Sequence, residues 1–410
     1  MGELYHERGA LSLSYFESWQ DLEGAHPLSL SMPLPQRDHA DATVRPFVEG
    51  LLPDNDTILR EWGRRFGVSS RNPFSLLAHV GEDVAGAAQF VRPDRVEALQ
   101  REEGEVQWLS DKEVGDRLRE LAKDESAWRS PSDTGHFSLA GAQPKTALLR
   151  EGSRWAVPSG IIATTHILKP PVLGLRGFAE NEHLCLRLAQ ALGLSAAIST
   201  IIEFDGEQVI VVERYDRADG LRIHQEDICQ AQGVSPRAKY ESEGGPGAAA
   251  VISLLRDNSS DPGEDVQRFL SALALNWFIG GPDAHAKNYS VLIAPRGQVR
   301  LAPLYDLVSL LPYPEREVSW KIKLAMKVDG ESRVGFVKRR HWKRLAEATD
   351  LDPEAVVVSV TEIGSSIRDV LADVVAEEVA SGVDEEFGHV FQGVVLENVG
   401  RCLKALSEDE

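Results

Sequence analysis

Apolar residues near position 270 recur with the period of an α-helix, just before a run of glycine and proline. They lie at i, i+3, i+4, i+7, i+8, i+11 and i+12, namely Val266, Phe269, Leu270, Leu273, Ala274, Trp277 and Phe278. This spacing places them on one face, as in a well-buried helix. Gly280, Gly281 and Pro282 then predict the end of that helix.

Two short apolar runs follow the helix with the pattern of a β-hairpin. They cover residues 289–294 and 299–304, and Arg296-Gly297 between them suits a tight turn. If these are the two central turn residues, position 288 faces position 305. The pattern therefore predicts that Asn288 and Asp306 lie close together.

The amino-terminal half is predicted to be mostly strands with a few helices. Asn55 or Asp56 can cap a helix that runs to Phe66, and Asn72-Pro73 opens another that stops near Gly81. Hairpins are predicted for residues 145–157 and, around Asp205-Gly206, for residues 201–212. Helical patterns dominate from about residue 217.

These elements predict an α+β fold with two lobes. A β-rich amino-terminal lobe with extra helical elements precedes a mainly helical carboxy-terminal lobe. We expect an amino-terminal subdomain over residues 1–130, the rest of the first lobe over 131–216, and the helical lobe over 217–410.

Composition narrows the class of protein. The chain has 410 residues, of which 42% are hydrophobic and 26% charged, so it can bury cores in two or three subdomains. Its three cysteines are widely separated, and no apolar run approaches 18 residues. We therefore expect a reduced, soluble, cytoplasmic enzyme without a zinc site.

The net charge of −20 argues against independent binding to DNA, whose phosphates repel an acidic surface. One local exception is the basic cluster Lys338–Arg340 with Lys343 and Arg344. Such a cluster is usually a solvated face or a site for an acidic partner, but it could touch a phosphate backbone if a partner holds the protein on DNA.

Three polar side chains carry the candidate chemistry. Asp283 and Asn288 are five residues apart, and Asp306 follows 18 residues later in Leu-Tyr-Asp. Protein kinases use an Asp to accept the proton of the attacking hydroxyl, and an Asn five residues on with a later Asp to hold Mg²⁺. The alternative is that Asp283 and Asn288 merely cap the next turn.

A nucleotide site also needs cations for its phosphates. Lys169 ends the strand-like run 165–169, where a kinase has its strand lysine, although a lysine there is often only solvated. The small-residue loop 138–145 could wrap phosphate oxygens with its amides while Lys145 adds charge.

Several segments, in order along the chain, resemble the HipA family of bacterial toxin kinases. The resemblance also covers residues 28–80 and so spans nearly the whole chain. Its segments are Phe137–Leu149, Thr165–Pro170, Val212–Arg217, Gln225–Gln230, Lys239–Gly247, Asn276–Ser290 and Leu301–Ser309.

The resemblance implies a serine/threonine kinase dependent on ATP and Mg²⁺. It also implies that the two predicted lobes form a protein-kinase-like fold, with the nucleotide expected between them. Asp283 would be the catalytic base, Asn288 and Asp306 the metal ligands, and Lys169 the phosphate lysine. The nucleotide would also contact Lys145, the loop residues Ala140, Gly141 and Ala142, the hinge Glu213, Arg214 and Tyr215, and His285. From its position between the base and Asn288, His285 is expected to orient the loop rather than transfer a proton.

The resemblance also implies regulation and partners. Autophosphorylation at Ser138 would expel the loop, since phosphate adds a charge of about −1.5 to −2 beside two carboxylates; the alternative is an ordinary turn hydroxyl. The substrate would be a component of translation, typically an aminoacyl-tRNA synthetase. The inhibitor would be a small helix-turn-helix antitoxin, HipB-like and dimeric, that carries the DNA recognition.

Two positions depart from the family pattern. Pro144 stands where an acidic residue is usual, and it stiffens the loop and removes one amide. Ala284 stands where glycine is common beside the base, which is harmless only if its φ is negative.

Two other function classes fit the same residues. A small-molecule phosphotransferase would share the Asp, Asn and Asp set but would act on a metabolite hydroxyl. A catalytically idle partner would only help an antitoxin repress transcription, although the presence of Lys169, Asp283, Asn288 and Asp306 speaks against it.

Overall fold

The computed structural model describes residues 1–124, 137–141, 143–172, 174–316 and 318–408. The chain divides into two compact units. The amino-terminal unit comprises Met1–Pro171, Ile202–Arg237 and Leu292–Gln298, and the carboxy-terminal unit comprises Val172–Ile201, Ala238–Val291 and Val299–Glu410.

The strands are β1 (Gly2–Glu7), β2 (Ala10–Tyr15), β3 (Asp38–His39), β4 (Val106–Leu109), β5 (Thr146–Glu151), β6 (Arg154–Pro158), β7 (His166–Lys169), β8 (Ser199–Phe204), β9 (Glu207–Glu213), β10 (Arg217–Ala218), β11 (Leu221–Arg222), β12 (Gln225–Asp227), β13 (Ser290–Ala294), β14 (Gln298–Leu301), β15 (Lys323–Val328) and β16 (Glu331–Arg333).

The α-helices are α1 (Glu17–Gln20), α2 (Asp41–Gly50), α3 (Asp56–Phe66), α4 (Pro73–Val80), α5 (Val96–Gln100), α6 (Asp111–Lys123), α7 (Phe178–Ala191), α8 (Ile228–Ala231), α9 (Ala248–Asn258), α10 (Pro262–Ile279), α11 (Arg339–Ala348), α12 (Pro353–Ala380) and α13 (Glu385–Ser407).

The central sheet of the amino-terminal unit places β7 between β5 and β9, in the strand order β4-β6-β5-β7-β9-β8. The pairings of β7 are antiparallel, with Leu168 opposite Thr146 and Val211. Helix α6 packs on this sheet through the buried Val114 and Leu118. Gly115 permits the close approach, because a Cβ there would lie 2.6 Å from the carbonyl oxygen of Phe204.

A second core fills the amino-terminal part of the same unit. The strands β1, β2 and β3 form an antiparallel sheet, and α2 packs on β2. Large buried side chains, including Tyr15, Phe47 and Trp62, fill the space between them. Burial of this apolar surface stabilises the region that supports the loop at residues 137–141.

The carboxy-terminal unit is mainly helical. Helix α10 contacts α9, α12 and α13, and its Trp277 and Phe278 are fully buried. The indole of Trp277 also packs against Trp342 of α11, at 5.6 Å between ring centroids. This packing fixes the end of α10, from which the loop containing Asp283 departs.

The helix boundaries predicted from the sequence are confirmed. The side chain of Asn55 accepts from the Thr57 amide at the start of α3, and Gly67 beyond it has a φ of 66°. The side chain of Asn72 caps α4, which begins at Pro73. Helix α10 ends at Ile279, and Gly280 adopts the left-handed conformation that a C-terminal cap requires.

The predicted hairpin turns are confirmed as well. Arg296 and Gly297 have φ values of 66° and 72°, and Asp205 and Gly206 have values of 51° and 85°. A type I′ turn, whose twist matches that of the flanking strands, requires a positive φ at both central residues. At the far end of β13, however, the Ala302 amide donates to the Ser290 carbonyl, at 2.9 Å, one residue out of the expected register.

Within the described ranges, every helix is either too short or too polar to span a lipid bilayer.

Candidate active site

The loop that carries Asp283 begins with two glycines that have no space for side chains. The Gly281 amide donates to the Asn276 carbonyl of α10, at 2.7 Å. A Cβ on Gly281 would lie 2.4 Å from the side-chain oxygen of Asn276. The glycines therefore let the chain turn sharply off the buried helix and present Asp283 at a fixed place.

Hydrogen bonds across the loop link Asp283 to Asn288. The backbone carbonyl of Asp283 accepts from the His285 amide at 2.8 Å and from Asn288 Nδ2 at 2.7 Å. Only the nitrogen of a carboxamide can donate, so Oδ1 of Asn288 is the atom left as an oxygen ligand. Mg²⁺ prefers oxygen ligands, and the orientation of Asn288 fits that preference.

The capping alternative finds no support in these contacts. A cap side chain would accept from backbone amides. The Asn288 side chain instead donates to a carbonyl, and the Asp283 carboxylate accepts from the hydroxyl of Tyr240.

Tyr305, the neighbour of Asp306, contacts the segment that carries Asn288. The Tyr305 hydroxyl donates to the Lys287 carbonyl at 2.7 Å and lies 2.6 Å from the hydroxyl of Ser290. Residues 287 and 305 are thus in direct contact, one position away from the pairing of 288 with 305 that the sequence predicted. Asp306 itself has a φ of 56°, an unusual conformation for a residue with a side chain.

The backbone beyond Asp306 is anchored to two helices of the same unit. The side chain of Asn181, in α7, donates to the Ser309 carbonyl at 2.7 Å and accepts from its amide at 2.9 Å. The Leu310 amide donates to the Gly280 carbonyl, at 3.1 Å. These bonds hold the segment after Asp306 against the loop that carries Asp283.

The carboxylate of Asp283 is accessible to solvent. Its side chain is 45% exposed, whereas Asn288 is buried. Tyr240 donates its hydroxyl to Asp283 Oδ1 at 2.6 Å, and His285 Nε2 lies 3.9 Å from the same oxygen. The role of Tyr240 was not predicted, because nothing in the sequence pairs it with a residue 43 positions later.

The departure at Ala284 does not strain the loop. Ala284 is buried and is not among the described residues whose φ is positive. Alanine is therefore tolerated at this position, where the family commonly has glycine.

The small-residue loop lies in the amino-terminal unit and is held tightly there. Ser138 is buried, its hydroxyl donates to the Leu51 carbonyl at 2.7 Å, and its amide donates to the Asp83 carbonyl at 3.0 Å. The Asp54 amide donates to the Gly141 carbonyl, at 3.2 Å. The Ser138 hydroxyl thus bonds to a distant segment of the amino-terminal unit and not within its own turn.

Lys145 folds back over the loop. Its Nζ donates to the Ala140 carbonyl at 2.9 Å, and Gly141, with a φ of 101°, has no space for a Cβ beside that ammonium. Ala142 lies outside the described residues. Lys169 ends β7 in the middle of the sheet and is only 5% exposed, which argues against a merely solvated lysine.

The predicted hinge, residues 213–215, begins at the last residue of β9. The backbone amide and carbonyl of its middle residue, Arg214, both form hydrogen bonds. The Arg214 amide donates to the Thr165 carbonyl at 2.9 Å, and its carbonyl accepts from the Arg217 amide at 3.1 Å. Glu213 pairs with His166 in the sheet, and the Tyr215 hydroxyl donates to Gln225. Both backbone groups of Arg214 are therefore hydrogen bonded within the amino-terminal unit.

The arginine side chains next to the hinge enter a buried ion cluster. Arg214 and Arg217 each lie 2.8 Å from the Asp216 carboxylate, and Arg217 lies 2.7 Å from Asp83. Arg222 completes the cluster on Asp83. Burial alone would raise the pKa of Asp83, but the three arginines more than offset it and hold that pKa well below its usual range.

The basic cluster of α11 is partly neutralised within the carboxy-terminal unit. Arg339 and Lys343 both pair with Glu354 of α12, at 2.7 and 2.5 Å, and Arg344 lies 3.7 Å from Asp329. The positive charge available to a phosphate backbone is therefore smaller than the sequence suggests.

Two family descriptions match this chain. The model of the HipA N-terminal domain matches residues 1–91, and that of the HipA-like C-terminal domain matches residues 137–376. Among similar proteins, Y4mE of Sinorhizobium fredii, named as a candidate kinase, is 36% identical over 92% of this chain and 90% of its own length. The serine/threonine-protein kinase toxin HipA of Shewanella oneidensis is 29% identical over 92% of this chain and 87% of that protein.

The fold has a close counterpart among solved structures. HipA of Shewanella oneidensis, in a complex with HipB and its operator DNA, superimposes with a TM-score of 0.83 and 27% sequence identity. The match covers 98% of this chain and 95% of that one. The predicted two-lobed, kinase-like α+β fold is thereby confirmed.

Proposed function

This chain belongs to the HipA family, and we propose that it is a toxin serine/threonine protein kinase that transfers the γ-phosphoryl group of Mg²⁺-ATP. The observation that carries the proposal is the bond from Asn288 Nδ2 to the Asp283 carbonyl. It ties an accessible carboxylate to an oriented amide oxygen at the spacing that kinases use for base and metal ligand.

In this proposal Asp283 acts as the base. Its exposed carboxylate receives the proton of the attacking serine or threonine hydroxyl. The Oδ1 atom of Asn288 and the carboxylate of Asp306 would hold the metal. When bound, Mg²⁺ neutralises the charge that develops on the phosphates.

The proposal assigns the nucleotide to residues that the family resemblance indicates. Lys169 and Lys145 would bind phosphate oxygens, helped by the amides of Ala140, Gly141 and Ala142. The backbones of Glu213 and Tyr215 would contact adenine. Arg214, between them, already uses its backbone amide and carbonyl in hydrogen bonds within the protein. His285 would support the loop of Asp283 and, through it, the nucleotide.

Autophosphorylation at Ser138 would switch the enzyme off. The support is physical: Ser138 is buried and donates its hydroxyl to the Leu51 carbonyl. A phosphate has no proton to donate there at neutral pH and brings about −1.5 to −2 charges into a buried site. The loop would have to leave its present position to carry that group.

The proposed partners rest on the relatives. Because the Shewanella oneidensis relative is seen with HipB and operator DNA, we expect a HipB-like, helix-turn-helix antitoxin to inhibit this chain and to carry the DNA recognition. The proposal makes this antitoxin a dimer, as the family resemblance implies. The substrate would be a translation protein, such as an aminoacyl-tRNA synthetase, and its phosphorylation would arrest growth.

The proposal is tested by incubating the purified protein with γ-labelled ATP and Mg²⁺. Label on the protein itself is expected for the wild type and is expected to be lost in both Ser138→Ala and Asp283→Asn. Binding of ATP without transfer would instead indicate the idle partner, and transfer to metabolites but not to protein would indicate a small-molecule phosphotransferase. A phosphoproteome taken after induction would identify the substrate.

A further inference from the structure

The segment Lys239–Gly247 folds as a tight turn that needs its glycines. The carbonyl of Tyr240 accepts from the amides of Glu243, at 2.9 Å, and Gly245, at 3.0 Å. Gly244 has a φ of 89°, and a Cβ on Gly245 would lie 2.0 Å from the Ala238 carbonyl oxygen. The Glu-Gly-Gly-Pro-Gly sequence therefore fixes the backbone that carries Tyr240.

Two further bonds fix this turn to the rest of the carboxy-terminal unit. The Glu241 carboxylate accepts from the backbone amide of Lys327, in β15, at 2.6 Å. The Lys239 carbonyl accepts from the Ala286 amide at 3.2 Å. Since Ala286 lies in the same loop as Asp283, the turn and the loop of the base are held together through the backbone.

The side chain of Tyr240 reaches the base directly. Its hydroxyl donates to Asp283 Oδ1 at 2.6 Å, and its ring meets the ring of His285 edge-on, at 4.9 Å between centroids. His285 Nε2 lies 3.9 Å from the same Oδ1 atom. The hydrogen bond from Tyr240 thus holds one oxygen of the carboxylate, which restricts rotation of the side chain.

We propose that Tyr240 is a positioning residue for Asp283, a role that rests on the proposed kinase function. The hydroxyl anchors Oδ1 and leaves Oδ2, on a side chain that is 45% exposed, to accept the proton of the substrate hydroxyl. A base held in one orientation avoids the loss of rate that misplacement causes.

A phenol is chemically suited to this task. It is a neutral donor at physiological pH, so it orients the carboxylate without placing a positive charge beside it. A lysine or arginine in the same place would stabilise the ionised carboxylate more strongly and make it a weaker base. The proposal therefore concerns the geometry of the base and not its charge.

The test compares the Mg²⁺-ATP-dependent autophosphorylation of wild type, Tyr240→Phe and Tyr313→Phe. Here kcat is the single-turnover rate constant at saturating ATP, and KM is the ATP concentration that gives half of it. Tyr313 is a matched control in the same unit, where its ring packs against Phe178 and Phe387. We expect Tyr240→Phe to lower kcat roughly 10- to 100-fold with the KM for ATP within about twofold of wild type, since a hydrogen bond to a charged group is lost. Tyr313→Phe should keep wild-type kcat.

A second variant separates the hydroxyl from the ring. Site-specific 3-fluorotyrosine at position 240 keeps both the ring and the donor, and kcat within about twofold of wild type is expected. A loss as large as that of Tyr240→Phe would assign the effect to ring packing and overturn the proposal, as would a wild-type kcat in Tyr240→Phe. If wild type and Asp283→Asn both transfer no phosphate, the kinase function fails and the proposal fails with it.

Discussion

Asn288 donates its side-chain amide to the backbone carbonyl of Asp283, 2.7 Å away, and so closes the loop that separates the two residues. The same bond sets which atom of Asn288 points away from the loop. Consequently, the backbone at the proposed base, Asp283, and the orientation of the proposed metal ligand, Asn288, depend on one contact.

This contact predicts that Asn288→Asp is inactive although it keeps an oxygen ligand. An ionised carboxylate cannot donate, so it would face the Asp283 carbonyl as a second acceptor. We expect kcat for transfer from γ-labelled ATP to fall at least about 100-fold at every Mg²⁺ concentration, because the loop loses its geometry.

The matched control is Asn258→Asp, at the end of α9. Asn258 also donates its side-chain amide to a backbone carbonyl, that of Leu254 at 2.9 Å, but it is exposed. It should retain wild-type rates. Recovery of Asn288→Asp at high Mg²⁺ would show that its donor role is unimportant.

Ser138 offers a second prediction, which concerns stability and does not depend on activity. Ser138→Ala leaves the Leu51 carbonyl without its donor and should lower the free energy of unfolding by about 1–2 kcal/mol. Ser138→Asp places a charge in a buried position and should lower it further, by roughly 2 kcal/mol or more, with faster amide hydrogen exchange at residues 137–141.

Ser381→Asp controls for the substitution itself. Ser381 also donates its hydroxyl to a backbone carbonyl, that of Glu377 at 3.0 Å, but at an exposed position. It should change stability by less than about 0.5 kcal/mol. Unchanged hydrogen exchange at residues 137–141 in Ser138→Asp would mean that the loop accommodates a negative charge without leaving its buried position.

The parts of the fold that the sequence predicted are those with local signals. A cap such as Asn55, the apolar face of α10 and the turn at Arg296-Gly297 each depend on residues only a few positions apart. The hairpin also brought residues 287 and 305 together, although its far end is one residue out of the expected register. Local rules do not fix such an irregularity within the strands.

The contacts at the site that the sequence did not predict join segments that are far apart in the chain. Tyr240 and Asp283 are 43 positions apart, and Arg217 and Asp83 are 134 apart. Neither hydrophobic period nor turn chemistry links such pairs, because tertiary packing alone brings them together. Arg214 shows the same limit, since its position next to the hinge did not reveal that both its backbone groups are engaged.

The ion cluster yields a third prediction. Asp83→Asn removes a buried charge that faces Arg217 at 2.7 Å, and it leaves the arginines of the cluster poorly compensated. Breaking a buried pair on one side typically costs about 3–5 kcal/mol. We expect a loss of that size in chemical denaturation. Nucleotide affinity should fall as well, because Arg214 of the same cluster is the middle residue of the proposed hinge.

Asp94→Asn is the control for the charge change. Asp94 pairs with Arg92 at 3.1 Å, but both side chains are exposed, so the pair should contribute less than about 1 kcal/mol. Equal stability losses in Asp83→Asn and Asp94→Asn would contradict the view that burial makes the cluster important.

The last prediction concerns the loss of stability in acid and rests on His224. This ring is buried in the amino-terminal unit, where Nε2 donates to the Leu28 carbonyl at 2.9 Å and Nδ1 accepts from the Ala87 amide at 3.4 Å. Burial lowers the pKa of His224 from 6.5 to about 4. Between these two values the unfolded chain binds a proton that the folded chain does not, so stability falls as the pH falls.

We therefore expect this histidine to reduce the free energy of unfolding by on the order of 3 kcal/mol when the pH falls from 7 to 4. His224→Gln keeps a donor and an acceptor but cannot titrate, so its stability should depend less steeply on pH across this window. His389→Gln, on the exposed face of α13, should keep the wild-type slope. Denaturant titrations of the three proteins at half-unit pH steps give the comparison, and parallel curves for wild type and His224→Gln would contradict it.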